Sequence, residues 1–279
     1  MQALTLFNQN FAVAESLLQL FQVFNGLSAQ ELKEELRLAI CAHWQVPNNS
    51  IVHHACNDRV TVLARSASPI PGSLVMSAGL DFLLRQAVVV ACTSLEAFFW
   101  DALRENALTV VQARRTGADE TLKSIPLTLG DYMSISQYDD PDFRLRQLIL
   151  KNFARGTLYS ADKIEEIAKV LTIQKLWDLV EKRCGEPASN LKRNSGELIN
   201  RRNQIAHRAD RPDEGEAADG HGLRPITFAW TNVRVQAART LVSAAAEVIE
   251  EAVKRLESDI KVAREQFEAR KLAGEAARE

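Results

Sequence analysis

Ala87-Val88-Val89-Val90-Ala91-Cys92-Thr93-Ser94-Leu95-Glu96-Ala97-Phe98-Phe99-Trp100 is the passage whose reading decides the fold of this 279-residue chain. It lies inside a segment from about Ser77 to Leu108 that reads as one long helix. A helix apolar around most of its circumference must be buried on most sides. Its neighbours are therefore expected to be amphipathic helices wrapped around it. Helical periodicity does dominate the rest of the chain, and strand alternation is scarce.

Working outward toward the N-terminus, Asn10 to Phe24 carries Phe11, Leu17, Leu18, Phe21 and Phe24 on one side of a helix. Ser28 followed by Glu31 reads as a capping box for a helix continuing from Leu32 to Trp44. Asn48 to Pro71, with two prolines and small polar residues, reads as an irregular connection. Toward the C-terminus, Gln112 to Asp140 is turn-rich and reads as a surface excursion. Helices are expected at about Asp142 to Phe153, at Ala161 to Leu171 capped by Ser160, and at Ile173 to Arg183 ended by Gly185. A further helix starts near Pro187. Asp210 to Gly222, rich in Asp and Glu, reads as a mobile acidic loop.

The final helix begins near Thr231 and runs into the tail. Along it Ala246, Ile249, Val253, Leu256, Ile260, Ala263 and Phe267 recur at steps of three and four, a heptad seam. Its first half fits packing on its own bundle. Beyond Glu257 most faces are charged, which leaves a partner helix from a second copy as the expected neighbour. The fold class is all-α, an irregular helical bundle forming one domain over residues 1–279. A helical extension occupies about 1–60, and the C-terminal helix about 231–275.

Bulk properties exclude several classes. A hydrophobic share of 46% with 25% charged residues describes a globular chain. The net charge of −2 rules out a global basic field, so any nucleic-acid contact has to be local. Four scattered cysteines (Cys41, Cys56, Cys92, Cys184) read as reduced thiols. The first residues do not read as a secretory signal. The longest unbroken apolar run, Ala87 to Cys92, falls far short of the ~20 residues of a membrane span. A cytoplasmic location without membrane contact is the expectation.

Function is concentrated in Asn200-Arg201-Arg202-Asn203-Gln204-Ile205-Ala206-His207-Arg208, a heavy polar load on the helix that also carries Leu191, Leu198 and Ile199. Guanidinium grips phosphate bidentately, and imidazole moves a proton near neutral pH without a metal. At about 100° per residue, Asn200, Asn203 and His207 fall in one sector, and Asn203 could orient the imidazole four residues on. Arg202 lies about 140° from His207, so one helix alone makes a poor site. Two copies facing each other could bring these groups into one cleft. The competing reading makes Arg202 and His207 solvated or ion-paired positions on a bundle helix.

Arg202-Asn203-Gln204-Ile205-Ala206-His207 resembles the Arg-Asn-x-x-x-His signature of HEPN-domain ribonucleases. The apolar helix with Ser94-Leu95-Glu96-Ala97-Phe98-Phe99, the short helices around Ser160 to Trp177 and the long last helix resemble the RiboL-PSP-HEPN branch, with a core over about 77–256. The resemblance implies a metal-independent endoribonuclease that acts on RNA as a homodimer in a toxin–antitoxin or phage-defence role. An antitoxin or regulatory protein is a further implied partner. It also implies Arg202 and His207 as the catalytic pair, with Asn203 at the polar position after the arginine. Attack by the RNA 2′-OH would leave a 2′,3′-cyclic phosphate. Arg201 and Arg208 read as RNA-phosphate contacts. A catalytically inactive HEPN-like module that binds RNA or a partner protein, and a coiled-coil scaffold, are the other readings.

Glu96 lies within the apolar Leu95 to Trp100, where a buried carboxylate needs a cation. Arg202 or another arginine of the polar segment would serve. Emergence on a solvent stripe and pairing with Arg104 are the alternatives; a matching position in the HEPN family favours a site-orienting role. Cys41, His43, His53, His54 and Cys56 gather potential metal ligands but lack the spacing of a structural zinc site, and no metal is expected. His221 reads as solvated. No nucleophile elbow or phosphate-cradling glycine loop is evident, and no cofactor is expected.

Overall fold

A computed structural model describes residues 1–75, 77–113, 126–153 and 160–276. The helices are α1 (Gln2–Phe24), α2 (Glu34–His43), α3 (Gly72–Val75), α4 (Asp81–Ala113), α5 (Leu129–Ser136), α6 (Pro141–Phe153), α7 (Ala161–Val170), α8 (Leu176–Cys184), α9 (Ala188–Arg208) and α10 (Phe228–Ala276). A 3₁₀ turn, Ser77–Leu80, leads into α4. Three short strands, β1 (Ser28–Ala29), β2 (Val52–Cys56) and β3 (Thr61–Arg65), form one antiparallel sheet in the order β1-β2-β3. Among the described residues the fold is all-α apart from this small sheet.

That sheet corrects two expectations. Ser28 does not cap a helix; with Ala29 it pairs with Cys56 and Ala55. Helix α2 starts only at Glu34, after Lys33, which makes no side-chain cap. The expected irregular connection holds a hairpin instead. Asn57 Oδ1 accepts from the N–H groups of Arg59 and Val60 at 2.8 Å each, and Asn57 N–H donates to Val60 O at 3.0 Å. An Asx turn of this kind closes a hairpin without glycine. Val52, Thr61 and Val62 supply β-branched residues on either side.

The chain divides into two compact units. The first comprises Met1–Phe11, Ala91–Asn200 and Gln236–Glu279. Its centre is aromatic: Phe7 lies 4.8 Å from Phe11 and 5.9 Å from Phe98, and Phe98 meets Phe99 edge-on at 5.0 Å. Leu95, Leu103, Ile164, Leu171, Val180 and Leu198 are fully enclosed. In α10 the first half of the seam is buried at Ala246, Ile249 and Leu256. Part of the turn-rich excursion is a helix, since Thr128 and Asp131 form the capping box of α5. Residues 114–125 of that excursion lie outside the described residues. Ser160 precedes α7 in extended backbone, though its side chain makes no cap bond. Gly185, at φ 74°, closes α8 as expected.

The second unit comprises Ala12–Val90 and Arg201–Val235. It holds the sheet, a stacked pair Phe21–Phe228 at 5.9 Å, and the buried Leu80, Leu84 and Ala87. The last helix starts earlier than its sequence suggests, because Thr227 Oγ1 accepts from Trp230 N–H at 3.2 Å and caps it. Against the short apolar run seen in sequence, α4 as a whole is long and apolar enough to cross a membrane by length and composition. More than half of its most apolar window is buried within the protein, as in a core helix.

Candidate functional site

Helix α9 buries Leu191, Ser195, Leu198 and Ile199, spaced so that one face points inward. Beyond Ile199 that stripe gives out. Arg201 to Ile205 are half-buried, and Ala206 to Ala209 are exposed. Arg202, Asn203, His207 and Arg208 thus share the last two turns of one helix, within the second unit. His207 and Arg208 stand in the final turn, open to solvent. Among the described residues no hydrogen bond joins Asn203 to His207. The i, i+4 spacing permits that bond, but the exposed imidazole can reach water instead. Glu96 belongs to the first unit, half-buried on α4 beside the fully enclosed Leu95. Arg104, its alternative partner on the same helix, binds Asp101 at 2.8 Å.

Immediately after α9 the backbone is strained. Ala209 and Asp210 both adopt left-handed φ, 51° and 59°. Non-glycine residues in that region cost roughly 1–2 kcal/mol each. Glycine is the usual residue at the first of these positions. Hydrogen bonds hold the exit in place. Asp210 N–H reaches back to Gln204 O at 3.1 Å, and Asp210 O accepts from Arg224 N–H at 2.8 Å. The almost wholly buried Asp210 carboxylate takes Arg85 Nε at 2.7 Å and Arg201 Nη2 at 2.9 Å, both on Oδ2. Arg85 and Arg201 each donate also to Arg224 O, at 2.9 and 2.8 Å.

Arg201, expected at an RNA phosphate, is part of this cluster. Its guanidinium is committed inward, to Asp210 and to the carbonyls of Arg224 and Pro225, and lies 5.9 Å from the centre of the Trp230 ring. Burial pushes its pKa down, against the opposing pull of Asp210. Arg208 differs, pairing with Asp213 where both side chains are exposed. Such a pair contributes little and can exchange for a phosphate.

The acidic segment carries several ion pairs. Asp219 binds Arg85 Nη2 at 2.9 Å, while Asp213 and Glu216 bind Arg224 at 2.8 and 2.6 Å. Arginines therefore strap it along much of its length. The amino-acid sequence does carry one sign of this cluster. Arg85 is a cation between Leu84 and Val88 on an apolar helix, and burial there demands an anion. Asp210 and Asp219 supply two.

Asp219 carries a pH consequence. Burial opposes its ionisation, but the N–H groups of Leu223 and His221 and the Arg85 guanidinium hold its carboxyl below the ordinary 3.8. A lowered carboxyl contributes stability that is present above its unfolded value and is lost as pH falls through the folded one. Nearby Asp81 is shifted the opposite way, raised by burial and only partly offset by Arg85. Comparing wild type with Asp219→Asn isolates the first effect. Urea midpoints should differ at neutral pH, with the wild type more stable, and should converge as pH drops below 3.8. A constant gap down to the most acid point would contradict this assignment.

The potential metal ligands do not gather: among the described residues no group of three His, Cys, Asp or Glu side chains could hold an ion. Cys41 is buried in α2 and His43 ends that helix, exposed, while His53, His54 and Cys56 lie along β2. His221 is exposed, its backbone N–H donating to Asp219 Oδ1 at 2.8 Å.

Comparison with curated proteins and with solved structures gives no match. The family model described as RiboL-PSP-HEPN matches residues 71–224. That span covers more than half of the chain and includes Glu96, the cluster around Asp210, and every polar residue of the α9 terminus. HEPN domains form a superfamily of ribonucleases and RNA-binding modules. With its helical architecture and the Arg202–His207 segment at the end of α9, the chain belongs to the RiboL-PSP-HEPN family.

Proposed function

We propose that this protein is a metal-independent endoribonuclease that works as a homodimer in a toxin or phage-defence role. One observation carries the reading. At the end of α9 the protein ties Arg201 inward and pairs Arg208 with Asp213, yet leaves the His207 imidazole exposed five residues after Arg202. An imidazole open to a ligand is what proton transfer requires.

In this mechanism His207 takes the proton of the RNA 2′-OH as that oxygen attacks the adjacent phosphorus, or returns one to the departing 5′-oxygen. Arg202 stabilises the charge that builds on the phosphoryl oxygens. The P–O5′ bond breaks, leaving a 2′,3′-cyclic phosphate and a 5′-OH. Asn203 stands one helical turn before the imidazole, and Arg208 offers a phosphate contact. Because Arg202 and His207 lie about 140° apart around the helix, a second copy is needed to complete the cleft.

The test is incubation of RNA with the protein in EDTA, followed by analysis of the cleaved ends. Cyclic phosphate termini, lost in both Arg202→Ala and His207→Ala, support the nuclease. RNA binding without cleavage by the wild type supports a catalytically inactive binding module instead.

The dimer has its own observable. Beyond Leu256, α10 is exposed at nearly every position, with Phe267 70% and Leu272 67% exposed. Together with the half-buried Ile260, Phe267 continues the heptad seam, which a second copy would cover. Sedimentation at micromolar concentration should give a dimer for the wild type and a monomer for Phe267→Glu. A monomeric wild type would remove both the seam and the composite cleft.

A further inference from the structure

We infer that Asp210 is a positioning residue for the α9 terminus: its arginine-clamped carboxylate holds the strained helix exit and so fixes the turn on which His207 stands. The inference rests on the nuclease reading above for its consequence in catalysis. Its structural part stands on the geometry alone.

Ala209 and Asp210 are consecutive left-handed residues, neither of them glycine. An exit of that shape does not hold itself, because relaxing either residue toward right-handed φ relieves steric strain. Asp210 is anchored on three sides. Its N–H closes back onto Gln204 O, its carbonyl takes Arg224 N–H, and its Oδ2 takes Arg85 and Arg201. The anchoring is also concentrated. Among the described residues Asp210 Oδ1 is buried without a hydrogen-bond partner, so both guanidinium contacts run through one oxygen.

The clamp has a direct line to His207. The bond from Asp210 N–H to Gln204 O spans the turn that carries Ile205, Ala206 and His207. If the clamp opens, this bond and the left-handed exit go together, and the final turn frays. Arg202 precedes the turn and keeps its place in α9. His207 would then move relative to Arg202 while the body of the helix stays folded. Misplacement of a reacting group by about 1 Å costs about 10²-fold in rate.

The experiment compares wild type, Asp210→Asn, and the double variant Ala209→Gly with Asp210→Asn in the whole 279-residue chain. Asparagine keeps the shape and removes the charge. Glycine at 209 supplies the left-handed conformation without strain. Two readouts are taken: amide hydrogen exchange over residues 204–209, and steady-state RNA cleavage. Asp210→Asn is expected to speed exchange about tenfold in that segment alone. It is expected to lower kcat about 10²-fold with KM within about twofold. Adding Ala209→Gly should restore both. A general loss of stability would not be rescued locally in this way, nor would loss of a group that touches RNA.

Unchanged exchange in Asp210→Asn overturns the inference, as does faster exchange that the glycine fails to correct. Faster exchange with kcat intact in an active nuclease overturns the link to His207. If the wild type cleaves no RNA, the nuclease reading fails and the exchange readout still decides the clamp. Should Asp210→Asn not fold, Arg85→Lys keeps the charge while dropping the fork to Asp210, Asp219 and Arg224 O. Faster exchange over 204–209 in that variant supports the clamp, and unchanged exchange there overturns it.

Discussion

Replacing His207 with alanine is expected to lower RNA cleavage about 10²–10⁴-fold, the usual contribution of a positioned acid–base group. The unfolding midpoint in urea should barely move, because the side chain is exposed and removing it opens no cavity. That combination separates chemistry from folding. Binding of uncleaved RNA should survive, since the imidazole acts on the reacting atoms rather than on the bulk of the phosphate chain. Arg202→Ala should also lose cleavage, and Arg202→Lys should recover little of it, because a compact ammonium lacks the bidentate fork. If His207→Ala keeps more than a tenth of wild-type activity in EDTA, the proton-transfer role is wrong. Another group of the protein would then have to move the proton.

The fold is legible in sequence where one physical signal dominates. The apolar run through Val88 and Phe98 is stable only as an enclosed helix, and both side chains are buried. Gly185 and Ser160 mark helix ends because glycine tolerates a left-handed exit and serine favours an extended entry. The hairpin of β2 and β3 is hidden because its turn relies on the Asn57 side chain rather than a glycine dipeptide. Prolines close by also pull that stretch toward a loop. At the α9 terminus, residue types alone do not separate Arg201 from Arg202. Both are half-buried arginines at adjacent positions, and residue type does not show that Arg201 meets Asp210. Asp210, which claims Arg201, is itself fixed by Arg85, 125 residues away in sequence. The acidic segment hides its partners for the same reason, since Asp219 meets Arg85 of α4, Asp213 meets Arg208 of α9 and Glu216 meets Arg224.

The buried pairing of Arg201 with Asp210 yields the second large effect. Arg201→Ala is expected to destabilise the protein by about 3 kcal/mol or more, the usual result of removing one partner from a buried ion pair. The guanidinium side chain is only 13% exposed and that of Asp210 2%. Alanine leaves the carboxylate, among the described residues, with Arg85 alone and strips a donor from the carbonyls of Arg224 and Pro225. It also removes a cation facing the Trp230 ring. Arg201→Lys should recover part of the loss, because a point charge can still pair with Asp210 but cannot span all of these acceptors at once. The measurement is urea denaturation followed by tryptophan fluorescence, with RNA binding titrated at several salt concentrations. A phosphate contact would behave in the opposite way: stability would hold, affinity would fall for every RNA, and the slope of log affinity against log salt would shrink by roughly one. That outcome would falsify the inward assignment of Arg201 and return it to the RNA-facing surface.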